Sequence, residues 1–309
     1  MHTRRKFLAQ SSAAVGAFTF LKPLQSIAGT SGFSAEANKL TILFTNGFNS
    51  QLSDDLTNTG IKAVKETVQD LRRSHRNILL VDSGNILAGD SPKNIAHLHL
   101  YTALKETGYD AITPGSTDMQ HGADYFSKLV QRSQVKAVAT NYDSNESLFS
   151  YKIVRKGALK IGIIGIGSSA ELQPASFKKL LQSVNERAVI LKQKNQCQLV
   201  VCLSHLPLSN EKNKLDNLHL SKQSTSIDVV ISANDDRFIY NTHVLKNSTG
   251  YDVLLSHAGK SGSMIGKLEI SFNEQGEKTL ITTEQVFTGK EKVNALTQFK
   301  KHFEHQMAC

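Results

Sequence analysis

The sequence predicts an α/β fold, and three observations carry that prediction. Apolar runs of strand length alternate with stretches whose apolar residues recur at helical spacing. The strand-like runs are apolar throughout, as expected of strands covered on both faces. Polar clusters follow those strands, and open α/β sheets bind ligands beyond the carboxyl ends of their strands.

Taken in order, "LTILFTN" (40–46) reads as the first buried strand. Residues 59–74 follow as a helix, with Ile61, Val64, Val68 and Leu71 on one face. "NILLVDSG" (77–84) is the second strand, and 91–107 the next helix, with Ile95, Leu98 and Tyr101 at helical spacing. "YDAI" is a short strand; the turn "TPGSTDMQHG" (113–122) and a helical run, "DYFSKLV", come next. "VKAVATN" (135–141) reads as a strand. In "YKIVRKGALKIGIIGIGS", Gly157-Ala158 sits between two strand-like arms and marks a hairpin. A helix over about 176–193 aligns Phe177, Leu181, Val184, Ala188 and Leu191, and "CQLVVCLSH" (197–205) and "DVVISAN" (228–234) are two more buried strands. From 238 on, four strand-like segments separated by turns read as an antiparallel section extending the same core.

The chain has 309 residues, 39% hydrophobic and 20% charged, enough to bury a substantial core. Its N-terminus places Arg4 and Arg5 before Phe7 and Leu8, then a weakly apolar stretch and the small-residue site "AEA" (35–37). That order is the order of an export signal, and "TRRKFL" resembles the twin-arginine signal that sends folded proteins out of the bacterial cytoplasm. The expected division is a signal peptide over 1–37 and a single domain over 38–309, periplasmic or extracellular. The apolar run is too short for a membrane span. Removing 1–37 takes Arg4, Arg5, Lys6, Lys22 and Glu36, so the formal charge falls from +9 to +6. No basic stripe is interleaved with aromatics, so nucleic acid is not an expected partner. Cys197 and Cys202 read as buried small hydrophobes on opposite faces of a strand, and neither a disulfide framework nor a zinc pattern is present. "GIGSSA" (165–170) reads as a glycine turn rather than a dinucleotide fingerprint.

Eight blocks stand in one order: "LTILFTNGFNS", "DSGNILAG", "GSTDMQHG", "ATNYD", "KIGIIG", "LSHLP", "SANDD" and "AGKSGSMIGKL". In order and spacing they resemble the calcineurin-like metallophosphoesterases, above all the N-terminal catalytic domain of 5′-nucleotidases. The resemblance covers roughly 39–290. It implies a four-layer α/β/β/α sandwich, phosphoester hydrolysis and a two-metal site, and the chain is expected to lack the nucleotidases' C-terminal nucleoside-binding domain.

Residue by residue, the match departs from the family at the metal site. Gly47 stands at the position of the family's first Asp ligand and Asn49 at that of its first His. Asn85 replaces the bridging Asp, Ser116 the Asn ligand, and Thr117 the catalytic His. Asn234 and Asp236 replace the Gly-His-x-His pair. Only His205 keeps the family's ligand, so His205 and Asp236 are the residual metal candidates and no catalytic residue is assigned. Two divalent cations need carboxylates to offset their charge, and these positions supply one. The sequence therefore reads as a fold retained and a site dismantled: a non-catalytic protein that binds a phosphorylated small molecule or an active relative, with no resident cofactor. The alternative is a phosphoesterase with a rebuilt or one-metal site, using Mn, Zn or Mg, built on His205, Asp236 and His121. Asp82 and Asn141 are expected to cap loops, Asp118 to cap the helix that follows it, and His121 and His257 to lie at the surface or in hydrogen bonds.

Overall fold

A computed structural model of the chain describes residues 38–52, 59–88, 95–142, 147–168, 174–207, 216–233 and 242–289. The expected signal, Asn234 and Asp236 lie outside the described residues.

The strands, in chain order, are β1 (Lys39–Thr45), β2 (Ile78–Asp82), β3 (Ala111–Ile112), β4 (Ala137–Val138), β5 (Leu148–Phe149), β6 (Tyr151–Lys156), β7 (Leu159–Ile166), β8 (Leu199–Ser204), β9 (Val229–Ser232), β10 (His243–Lys246), β11 (Asp252–His257), β12 (Met264–Phe272) and β13 (Lys278–Phe287). They form two sheets, ordered β13-β12-β1-β2-β3-β4-β5 and β10-β11-β9-β8-β7-β6. Between β1 and β5 every pairing is parallel, as are those joining β7, β8, β9 and β11.

The apolar run of each central strand divides by its period of two. In β2, Leu79 and Val81 point between the sheets, against Ile161, Val201 and Ile231 of the other sheet. Ile78 and Leu80 point the other way. There they meet α1 (Ile61–Ser74), α2 (Ile95–Thr107) and α4 (Ala123–Ser133), through Val64, Val68, Leu104 and Phe126. A four-residue helix, α3 (Ser116–Met119), links β3 to α4. On the far side, Val200, Cys202 and Val230 pack against α5 (Pro174–Val189) through Val184 and Ala188, and against Leu220 of α6 (Asn217–Gln223). The layers are α/β/β/α, as the family resemblance implies. Each fully buried Leu, Ile or Val in these clusters contributes about 2 kcal/mol, which is why a run with no polar alternation is stable only here.

Four local expectations differ. "VKAVATN" contributes only Ala137–Val138 to the ladder. The section after 238 is not wholly antiparallel: β11 pairs with β9 in parallel, while β12 and β13 join the other sheet. The helix from 174 ends in a π-helical turn, Ile190–Lys194. Cys197 lies two residues before β8, and it shares one buried cluster with Cys202 instead of facing away from it.

Candidate functional site

The loops after β1, β2, β3 and β8 meet at the carboxyl ends of their strands, as parallel sheets dictate. The first two are tied together by main chain. Phe48 and Asn49 both donate their N–H to the Asn85 carbonyl, at 3.1 and 3.2 Å, and Ser50 donates to Ile86. Gly47 donates its N–H to Asp82 Oδ2 at 3.1 Å. Asn49 turns away, its Nδ2 donating to Ser261 Oγ at 3.2 Å.

The Asn85 side chain meets the third loop. Its Oδ1 accepts from Thr117 Oγ1 at 3.1 Å and from Ser116 Oγ at 3.3 Å, and the Thr117 N–H lies 3.3 Å away. Thr117 Oγ1 is also within 2.6 Å of the Leu87 carbonyl, so its one proton is shared between two acceptors. His205 closes the group: an added Cβ on Gly115 would lie 2.3 Å from Asn85 Oδ1 and 2.8 Å from His205 Cε1. Six of the eight positions singled out by the sequence, Gly47, Asn49, Asn85, Ser116, Thr117 and His205, thus gather at one end of the sheets.

His205 is buried. Its Nδ1 donates to the Ser83 carbonyl at 3.0 Å, so Nε2 carries the lone pair, and Nε2 is buried with no hydrogen-bond partner. Burial holds the imidazole pKa below its usual value, only partly opposed by the Ser83 bond. A neutral ring with an unengaged lone pair suits a cation or a hydroxyl donor.

Beneath the loops lie two buried carboxylates. Asp82 accepts from Thr45 Oγ1 at 2.5 Å and from the Gly84 and Gly47 N–H groups; Tyr109, 2.8 Å from Thr45 Oγ1, continues the chain. This is the loop-capping role the sequence suggested for Asp82. Asp118 does something different from the expected cap of the next helix. It accepts from Gly115 at the start of its own short helix α3, and also from the N–H groups of Asn85 and Leu87 and from Tyr101 Oη. It therefore ties the second loop to the third. Burial raises the pKa of both acids.

The other residues fall into place around this group. Asn141 clasps Gly167 in both directions. His257 donates from Nδ1 to the Ser232 carbonyl at 3.0 Å, and its Nε2 lies 3.3 Å from Asn46 Nδ2. His121 stacks on His97 and stands edge-on to Tyr125. The sequence reading missed the Thr45–Tyr109 and Asp118–Tyr101 bonds. The only available signal was a polar residue at the end of an otherwise apolar strand.

For Asp82 burial wins over three hydrogen bonds, and its pKa is pushed up from 3.8 to about 7. Between those values the folded chain holds more protons than the unfolded one, so stability falls as pH rises from about 4 to 7. The loss attributable to this group is up to about 4 kcal/mol. Urea unfolding at pH 5 and pH 8 is expected to show the wild type more stable at pH 5, and Asp82→Asn to flatten that difference. An equal slope in the variant would assign the pH dependence elsewhere.

No family model matches the chain. It is 22% identical to a snake venom 5′-nucleotidase of Naja atra over 229 residues, 65% of this chain and 42% of that protein. With the human 5′-nucleotidase it shares 23% identity over 231 residues, covering 67% of this chain and 40% of the relative. The chain thus spans about two fifths of the length of these relatives. Among solved structures, a 5′-nucleotidase precursor from Thermus thermophilus superimposes with a TM-score of 0.67 at 20% identity, over 87% of this chain and 59% of that one. A calcineurin-like phosphoesterase from Bacillus subtilis gives 0.60 at 16% identity, over 85% of this chain and 97% of its own. The fold is that of the calcineurin-like phosphoesterases. Within it, the group around Asn85 and His205 occupies the carboxyl ends of the strands. No helix among the described residues is long and apolar enough to cross a membrane.

Proposed function

We propose that this chain is an exported, non-catalytic relative of the 5′-nucleotidases, which uses the phosphoesterase scaffold to bind a phosphorylated small molecule or an active relative. The observation that carries this reading is the clasp of Ser116 and Thr117 on Asn85 Oδ1. A bridging position between two divalent cations needs a carboxylate with free lone pairs. Here it is a neutral amide whose oxygen already accepts from the Ser116 hydroxyl and the Thr117 N–H, and shares the Thr117 hydroxyl proton with the Leu87 carbonyl. Gly47 offers no side chain, and Asn49 is turned to Ser261. Among the described positions, only His205 Nε2 is a nitrogen donor with a lone pair to give. This donor set does not fit a pair of divalent cations, whose charge needs anionic ligands.

The same nitrogen supports a second reading, a phosphoesterase with one cation on His205 and Asp236. Elemental analysis of the purified chain, with AMP and p-nitrophenyl phosphate hydrolysis assayed with and without Mn²⁺, Zn²⁺ or Mg²⁺, separates the two. The first reading expects less than about a tenth of a metal equivalent per chain. It also expects turnover at least about four orders of magnitude below the roughly 10 s⁻¹ median of enzymes. One equivalent of metal with turnover, both lost in His205→Ala, would establish the second reading instead.

A further inference from the structure

At the opposite end of the strands from the Asn85–His205 group, a pocket of about 280 Å³ opens between α2, α4 and β5, lined in part by Lys105, Gln131, Gln134, Lys136 and Phe149. Lys136 immediately precedes β4, and Lys105 lies in the last turn of α2. Among the described residues the pocket lining carries two positive charges and no negative one. Asp110, the nearby carboxylate, is engaged by other groups: it accepts from Lys156 Nζ at 2.8 Å and from the Leu80 N–H, and its carbonyl accepts from Lys152 Nζ. Glu106 pairs with Lys65 on its other side. Among the described residues no carboxylate lies within ion-pair distance of Lys105 or Lys136. The lysines also feel one another: burial lowers the Lys152 pKa, Asp110 opposes this, and Lys136, Lys105 and Lys156 push it further down.

A lysine in the last turn of a helix is favoured by the helix dipole, which accounts for Lys105. It does not account for Lys136, three residues beyond the end of α4, whose Nζ lies 6.0 Å from the ring centre of Phe149. Phe149 leaves 36% of its surface exposed. Two ammonium groups with no carboxylate partner among the described residues, two exposed amides and a partly exposed ring with Lys136 Nζ over it, all in one small pocket, match a ligand with a flat ring and one anionic group. The volume sits near the roughly 300 Å³ lower limit of ligand pockets, so the ligand is small.

We infer that this pocket binds a small aromatic anion, its ring against Phe149 and its phosphate or carboxylate between Lys105 and Lys136. This site is separate from the cleft at the carboxyl ends of the strands and does not depend on the function proposed for it. Isothermal titration of the purified chain with phenyl phosphate, benzoate, inorganic phosphate and phenol tests it. Phenyl phosphate or benzoate is expected to bind saturably, the tighter of them identifying the anion, with inorganic phosphate and phenol at least tenfold weaker. A Lys105→Ala/Lys136→Ala chain is expected to lose at least tenfold in affinity, and Phe149→Ala about as much, with thermal unfolding of the lysine variant unchanged. The inference is overturned by three results: no saturable binding, binding indifferent to the two lysines, or inorganic phosphate binding as tightly as the aryl compounds.

Discussion

Gly165→Ala is expected to destabilise the chain by about 3 kcal/mol or more, because it forces the two sheets apart. Gly165 lies near the end of β7, where the second sheet touches the first. A Cβ there would stand 1.8 Å from the Val138 carbonyl oxygen and 2.5 Å from its carbon. Both are backbone atoms of β4, so no rotamer change can relieve the contact. The approach is also held by hydrogen bonds that a displaced strand would lose. Thr140 donates its N–H across to the Gly165 carbonyl at 2.7 Å, and Thr113 Oγ1, within the first sheet, donates to the Val138 carbonyl at 2.8 Å and so fixes β4 where it stands. For a chain of this size the change corresponds to a fall in Tm of roughly 6–12 °C, extrapolating from about 2–4 °C per kcal/mol. A fall below about 2 °C would mean that the sheets part there at little cost.

The same junction shows why the fold was legible in outline and not in detail. Strand and helix periods located nearly every element, because burial on both faces leaves no polar alternation in β1, β2, β8 or β9. "VKAVATN" has that pattern too, yet only two of its residues pair within the sheet. Thr140 leaves the ladder and sends its N–H to the other sheet instead. A period of two reports that a residue is buried, not which strand satisfies its backbone. For the same reason β11 read as part of an antiparallel section. It does pair antiparallel with β10, but its other edge pairs with β9 in parallel.

The candidate site divides in the same way. Its members were legible because strand ends converge, and motif order along the chain names the loops. The Asn85 clasp was not. It depends on Asn85 taking a left-handed backbone conformation, φ 63°, which turns its amide toward the third loop. Asp118 was read as a cap of the helix that follows it, and its second partner loop lies some thirty residues earlier in the chain.

Placing an acid at Gly47, where the family resemblance puts the first metal ligand, is expected to fail, and the reason lies in the backbone. Gly47 has φ 66°, and a Cβ at this position would stand 2.4 Å from the Asn85 carbonyl oxygen and 2.6 Å from that of Gly84. Aspartate tolerates the left-handed region better than most residues, so the dihedral alone is a modest obstacle. The carbonyls are the larger one. They sit there because Phe48 and Asn49 donate to the Asn85 carbonyl and Gly47 donates to Asp82. Making room for a side chain at 47 means breaking those bonds and leaving buried groups unpaired, at about 1–3 kcal/mol each. Gly47→Asp is therefore expected to cost about 3 kcal/mol or more, and Gly47→Asp/Asn85→Asp to gain neither bound metal nor hydrolysis of p-nitrophenyl phosphate in Mn²⁺. Asn85→Asp alone is expected to fold normally, since the Ser116 and Thr117 hydroxyls donate to a carboxylate as readily as to an amide. Unfolding curves and metal analysis of the three chains decide the matter. A double variant as stable as the wild type, with two equivalents of Mn²⁺ and measurable turnover, would show that only side chains separate this protein from a hydrolase. If the double variant is unstable and metal-free while Asn85→Asp stands, the loop itself has closed over the place where the first ligand would enter.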